Sequence, residues 1–139
     1  MAWLLDTNVL SELRRPRPHP NVVAFVSSCP LDQLYVSAVT LAEIRFGIQL
    51  VNDPARRADL DRWLALKVRP MFRGRVLQVT EDIMLEWRLL VEEGRKTGHT
   101  FSQPDLMIAA TAIYHGHSVV TRDRSEFERA GAPVVNPWD

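Results

Sequence analysis

Leu4-Leu5-Asp6-Thr7-Asn8-Val9-Leu10 puts the end of an apolar run, an acid and a helix start into one short stretch. The run from Ala2 to Leu5 suits a buried strand, and the Asp that ends it, before Thr7 and Asn8, is a helix N-terminal signal. The same grammar recurs along the chain. Leu34-Tyr35-Val36 leads to Thr40-Leu41-Ala42-Glu43, and Ser118-Val119-Val120 leads to Thr121-Arg122-Asp123. Val76-Leu77-Gln78-Val79 and Val134-Val135 are two further short apolar runs. Apolar strands alternating with helices predict an α/β fold with a mainly parallel central sheet covered on both faces.

The stretches between the strands carry helical periodicity. From Thr40 to Leu50, apolar positions fall at Leu41, Ile44 and Ile48. Asp53-Pro54 is a cap followed by proline at the first helical position, opening a charged helix whose inner face carries Leu60, Trp63, Leu64 and Val68, with Pro70 as its stop. Thr80 caps a long helix with Glu81 and Asp82 in its first turn, where they suit the dipole, and Gly98 closes it. Asp105 to Tyr114 is apolar nearly all round, so this helix belongs inside the molecule, and Gly116 ends it.

At 139 residues and 46% hydrophobic content the chain is expected to form one domain, residues 1–139, with a core that needs no staples. The 17 basic residues cancel the 17 acidic ones, which removes any global basic field; nucleic-acid contact must be local. The lone Cys29 excludes an internal disulfide framework and reads as a small buried thiol in a reducing compartment. Met1 runs straight into apolar residues with no basic leader, and no apolar run approaches ~18 residues, so a cytoplasmic protein with no membrane partner is expected.

Asp6, Glu43, Asp105 and Asp123 each stand where an apolar run gives way to a helix start. Each has a plain structural explanation. Thr40-x-x-Glu43 reads as a capping box, Ser102-x-x-Asp105 resembles one, Asp123 can cap a helix reaching Glu126, and Asp6 can cap the helix after the first strand. Their joint placement says more, because ligands of open α/β sheets bind outside the carboxyl ends of the strands. Two carboxylates ~5 Å apart repel by about 3 kcal/mol at an effective dielectric of 20, and a divalent cation removes the conflict. An all-oxygen donor set without thiolate or imidazole selects a hard ion, Mg²⁺ or Mn²⁺, which suits hydrolysis of a phosphodiester. Arg45 and Arg122, adjacent to the acids, are candidates for substrate phosphate.

Four segments in order carry a family resemblance: Leu5-Asp6-Thr7-Asn8-Val9-Leu10-Ser11-Glu12; Ser37-Ala38-Val39-Thr40-Leu41-Ala42-Glu43-Ile44-Arg45-Phe46-Gly47; Asp105 with Ile108-Ala109-Ala110-Thr111-Ala112; and Thr121-Arg122-Asp123, with Val134-Val135-Asn136-Pro137-Trp138 at the end. The chain resembles the PIN-domain ribonucleases, and within them the VapC and FitB-like toxins of prokaryotic toxin–antitoxin pairs. The resemblance implies a PIN-like three-layer α/β/α sandwich and a metal-dependent endoribonuclease. It carries over Asp6, Glu43, Asp105 and Asp123 as catalytic metal-binding acids, with Thr7 or Asn8 and Thr121 helping to hold ligands or water. It implies an RNA substrate, a homodimer, and a cognate antitoxin protein that covers the site in a higher assembly. Gln103-Pro104 precedes Asp105 where relatives often place a small hydroxyl residue.

The remaining features read as structural. His115 and His117 flank Gly116 at a helix end, Trp63 and Trp87 lie at helical spacing with leucines, and Arg14, Arg15 and Arg17 suit a solvated turn or a phosphate contact. Glu126 is explained equally well as an outer ligand and as a capping partner of Asp123. Two rivals to the ribonuclease reading are a non-catalytic protein-binding module whose acids only cap helices, and a DNA-directed nuclease of the same architecture.

Overall fold

A computed structural model describes all residues, 1–139. Five short strands, β1 (Trp3–Leu5), β2 (Leu34–Ser37), β3 (Val76–Leu77), β4 (Ser118–Val120) and β5 (Val134–Val135), form one sheet in the order β3-β2-β1-β4-β5. Every pairing is parallel. All five expected strands are therefore present. The chain builds outward from β1 to β2 and β3, then returns to lay β4 on the other side of β1, so the strand order reverses between β1 and β4. A crevice forms at such a reversal, at the carboxyl ends of the strands.

The pleat divides the core between the two faces. Leu5, Val36 and Val120 point to one face, where they meet Val9 and Leu10 of α1 (Thr7–Arg14), Val22 of α2 (Pro20–Ser28) and Ile44 and Ile48 of α3 (Ala38–Gln49). Leu4 and Val119 point to the other, against Leu106, Ile108, Ala109 and Ala112 of α7 (Gln103–His115) and Phe127 of α8 (Arg124–Arg129). Each fully buried large apolar side chain contributes about 1.5–3 kcal/mol, and the two clusters together make the three-layer sandwich. Helix α7 packs against α6 (Glu81–Lys96) and is buried at six positions, as its all-round apolar sequence requires. Gly116 ends it at φ 71°, a left-handed conformation that glycine reaches without strain.

Two helix boundaries differ from the sequence reading. Helix α3 begins at Ala38, with the Ser37 hydroxyl accepting from Val39 N–H at 3.0 Å, so Thr40 is already inside the helix. Helix α4 (Pro54–Trp63) does not stop at Pro70. It continues through a π-helical stretch, Leu64–Val68, into α5 (Arg69–Met71). Arg69 N–H donates to Leu64 O, five residues back. A proline ring collides with the carbonyl four residues before it, and the wider π turn gives that carbonyl room. The apolar face expected here holds, with Leu64 and Val68 buried and Leu60 and Trp63 packed at its edge.

Candidate active site

The register of β1 against β4 pairs Leu5 with Val120, and Asp6 N–H extends the ladder by donating to Val120 O at 2.9 Å. Asp6 is thereby set opposite Thr121, at the point where the strand order reverses. Its carboxylate is 5% exposed and held at both oxygens. Oδ1 accepts from Thr7 N–H at 2.8 Å, and Oδ2 accepts from the Thr121 hydroxyl at 2.8 Å. Thr121 in turn accepts from Asn8 Nδ2 at 3.1 Å and from Asp123 N–H at 3.0 Å, while Asn8 Oδ1 accepts from Arg122 N–H at 3.3 Å. This buried hydroxyl locks the end of β1 to the loop after β4.

Glu43, on the second turn of α3, Asp105, in the first turn of α7, and Asp123, before α8, line one open groove with Asp6. The groove has a volume of about 740 Å³. The four sequence-selected acids are thus brought together. Because α3 starts at Ala38, Glu43 lies beyond the capping-box position, and no side-chain cap bond is made by Asp123 at α8 or by Ser102 at α7. Only the Asp6 carboxylate serves as a cap. The capping explanation thus fails for Glu43 and Asp123.

Burial, opposed by the hydrogen bonds from Thr121 and Thr7 and reinforced by Asp123, raises the Asp6 carboxyl above its ordinary value. Asp105 is pushed up to about 6, first by burial and then by Asp6, Asp123 and Glu126, with the Ser102 hydroxyl pulling the other way. Burial is the larger cause, and the negative charge gathered around Asp105 adds to it. The lining includes no His or Cys, so the donors are oxygens that suit a hard divalent cation. No three acidic or imidazole side chains close on one point as a preformed cage. Mg²⁺ keeps several waters and takes few protein carboxylates directly, so the donor set fits such an ion without a cage.

The other sequence candidates divide. Asn8 and Arg122 line the groove, and Thr121 stands behind it as the buried support of Asp6. Arg45 lies outside the groove. It follows Glu43 by two residues, about 200° around the helix, and so faces away. Glu126 is not a capping partner of Asp123: its Oε1 accepts from Ser102 N–H at 3.0 Å and its Oε2 lies 3.6 Å from His99 Nε2, tying α8 to the start of α7. The sequence reading missed Ser11, Glu12 and Trp138, and favoured a solvated turn for Arg14 and Arg15, all of which line the groove. The signal was present as a polar stripe, Thr7, Ser11 and Arg14-Arg15, at helical spacing opposite Val9, Leu10 and Leu13.

Comparison with known proteins places this geometry. The PIN domain family model matches residues 3–133. The chain is 39% identical over 136 residues to the VapC ribonuclease Y4jK of Sinorhizobium fredii, covering 98% of this chain and 97% of that relative. It is 38% identical over 135 residues to the toxin FitB of Neisseria gonorrhoeae, covering 97% of each. The crystal structure of FitAcB from Neisseria gonorrhoeae superposes with a TM-score of 0.91 at 38% identity, covering 98% of each chain. The four-acid groove at the strand reversal thus sits on a shared fold across almost the full length, and the chain belongs to the PIN-domain family.

Proposed function

We propose that the groove hydrolyses RNA phosphodiester bonds with a divalent cation, Mg²⁺ or Mn²⁺, held by Asp6, Glu43, Asp105 and Asp123. The observation that carries this reading is the convergence of four carboxylates from four separate elements, of which Glu43 and Asp123 make no cap and Asp105 is raised first by burial and then by its acidic neighbours. When bound, such an ion lowers the pKa of water and stabilises charge on the attacking and leaving oxygens. The protein's own residues supply position. Thr121 and Thr7 fix both oxygens of Asp6, Asn8 braces Thr121, and Arg122 stands at the rim to meet a phosphate oxygen with a planar fork of donors. The ribonuclease name of the Sinorhizobium relative and the toxin name of the Neisseria relative support RNA as substrate and toxicity as the biological role.

Isosteric substitution separates ligands from caps, because Asn and Gln cap helices about as well as Asp and Glu. Asp6→Asn, Glu43→Gln, Asp105→Asn and Asp123→Asn should keep the fold and lower cleavage of total RNA in Mg²⁺ by about 100-fold or more. Full cleavage by Asp6→Asn and Asp105→Asn would reduce both to structural residues. Single-stranded and duplex DNA in the same assay distinguish the DNA-directed alternative.

The chain also acts, in this reading, as the toxin of a pair, as a homodimer that an antitoxin covers. Met84, Leu85 and Leu89 of α6 and Phe46 and Leu50 at the end of α3 are exposed apolar side chains of the kind that partners bury. Light scattering of the purified protein at micromolar concentration should give twice the monomer mass of 15.9 kDa, and a strictly monomeric protein would contradict the dimer.

A further inference from the structure

An acid-floored groove repels a polyanion, and the chain's net charge of zero offers no global attraction to offset it. The offset is built locally. Three arginines line the same groove, Arg14 and Arg15 from the end of α1 and Arg122 from the loop after β4, and each is held by a different partner. The Arg14 guanidinium lies 5.8 Å from the ring centre of Trp63. Arg122 lies 5.3 Å from that of Trp138, itself part of the groove wall. Arg15 Nη1 donates to Glu12 Oε1 at 3.2 Å. Arg14, Arg15 and Arg122 are otherwise exposed, which leaves guanidinium donors available to anionic oxygens.

Glu12 is the unusual member. It is a buried carboxylate, 6% exposed, and no step of the hydrolysis uses it. Its Oε2 accepts from His19 N–H at 2.9 Å, pinning the Arg15–Pro18 turn back onto α1 while Oε1 holds Arg15. The His19 N–H first, and the Arg15 guanidinium after it, keep the Glu12 carboxyl below its ordinary range against the effect of burial.

We propose that Arg14, Arg15 and Arg122 form a track for the backbone phosphates of single-stranded RNA flanking the acid cluster, with Glu12 as the positioning residue that sets the Arg15 arm. The substrate class rests on the ribonuclease reading. A single strand is favoured over a duplex because the wall combines basic side chains with an aromatic ring, Trp138, the pairing that tracks a backbone and stacks an unpaired base. Preordered arginines also lose less side-chain entropy when phosphate arrives.

The test measures binding without catalysis, by fluorescence anisotropy of a labelled oligouridylate in EDTA across a KCl series. Removing one arginine–phosphate ion pair should lower the slope of log affinity against log salt by about 0.7 for a single strand. Arg14→Gln and Arg15→Gln are each expected to reduce the slope by about that amount, and the double variant by about 1.4. In Mg²⁺, Glu12→Ala should raise KM about tenfold with kcat nearly retained, and Glu12→Gln, whose amide oxygen can still accept from His19 while its NH2 cannot accept from Arg15, should keep the turn folded and recover only part of the loss. A Glu12→Ala protein that instead loses kcat in proportion to folded fraction, with KM unchanged, would mark Glu12 as a fold residue only and overturn its positioning role. The track is overturned if the folded Arg14→Gln/Arg15→Gln protein binds with wild-type affinity and slope. It is equally overturned if duplex DNA or polyglutamate binds wild type more tightly than oligouridylate does. Absence of RNA cleavage by wild type in Mg²⁺ would sink the ribonuclease reading separately, since the anisotropy is read without metal.

Discussion

Asp105 concentrates the electrostatics of the site in one residue. Its carboxyl is held at about 6, against an ordinary 3.8, by burial first and by its acidic neighbours second. Between those values the folded protein retains a proton that the unfolded chain has released, so the carboxyl's stabilising contribution is complete below 3.8 and is lost as pH rises through about 6. Asp105→Asn cannot titrate. In EDTA its melting temperature should therefore gain on wild type as pH rises through this window, then keep a constant lead above it; parallel curves would refute the coupling. Added Mg²⁺ should close the gap above pH 6 by stabilising only wild type. Thr121 shows the complementary principle, since one buried hydroxyl with three hydrogen bonds makes a precise support for Asp6 from a residue that no charge-based search would select.

At the scale of elements, the placing of Asp105 depends on how α7 is approached. Gly94 of α6 lies against the segment leading into α7, and a Cβ at that position would stand 2.9 Å from His99 O and 2.9 Å from Phe101 Cε2. The backbone oxygen cannot swing aside. Gly94→Ala should cost about 1–3 kcal/mol of stability through overpacking, despite the helix propensity it gains. Thermal or urea unfolding would measure this, and a neutral or stabilising result would show that the 99–101 segment yields freely. Glu126 ties α8 to the same segment through Ser102 N–H, which explains why an acid so close in sequence to Asp123 is spent on structure.

The elements were legible because their signals are local. Leu4-Leu5 and Val119-Val120 read as strands by apolar content alone, and Gly116 marked a helix end by backbone geometry. The π-helical stretch before Pro70 was not legible, because proline's stop signal gives no measure of how strongly Leu64 and Val68 are held in the core. Glu43 and Arg45 illustrate the same limit within the site. Their position on α3 depends on whether Ser37 or Thr40 caps it, and two residues of helix turn Arg45 away from the groove that holds Glu43. The aromatic part of the groove wall was hidden because Trp138 reaches it from the far end of the chain, whereas Arg122 beside it was legible as a phosphate candidate.

Across the whole molecule, a chain with no net charge sets acids on the floor of a groove and arginines along its wall, on a parallel sheet whose order reverses at that point. No helix is long and apolar enough to cross a membrane. The central claim is that Asp6, Glu43, Asp105 and Asp123 share a hard divalent cation. Anomalous diffraction from crystals grown with Mn²⁺ above pH 6, where Asp105 is ionised, tests it most directly. The expected result is a Mn²⁺ peak within about 2.5 Å of oxygens from at least two of these carboxylates, with the others reached directly or through water, and loss of that peak in Asp105→Asn. A saturating Mn²⁺ soak that leaves the groove without a peak, or that places the ion away from these four side chains, would contradict the claim.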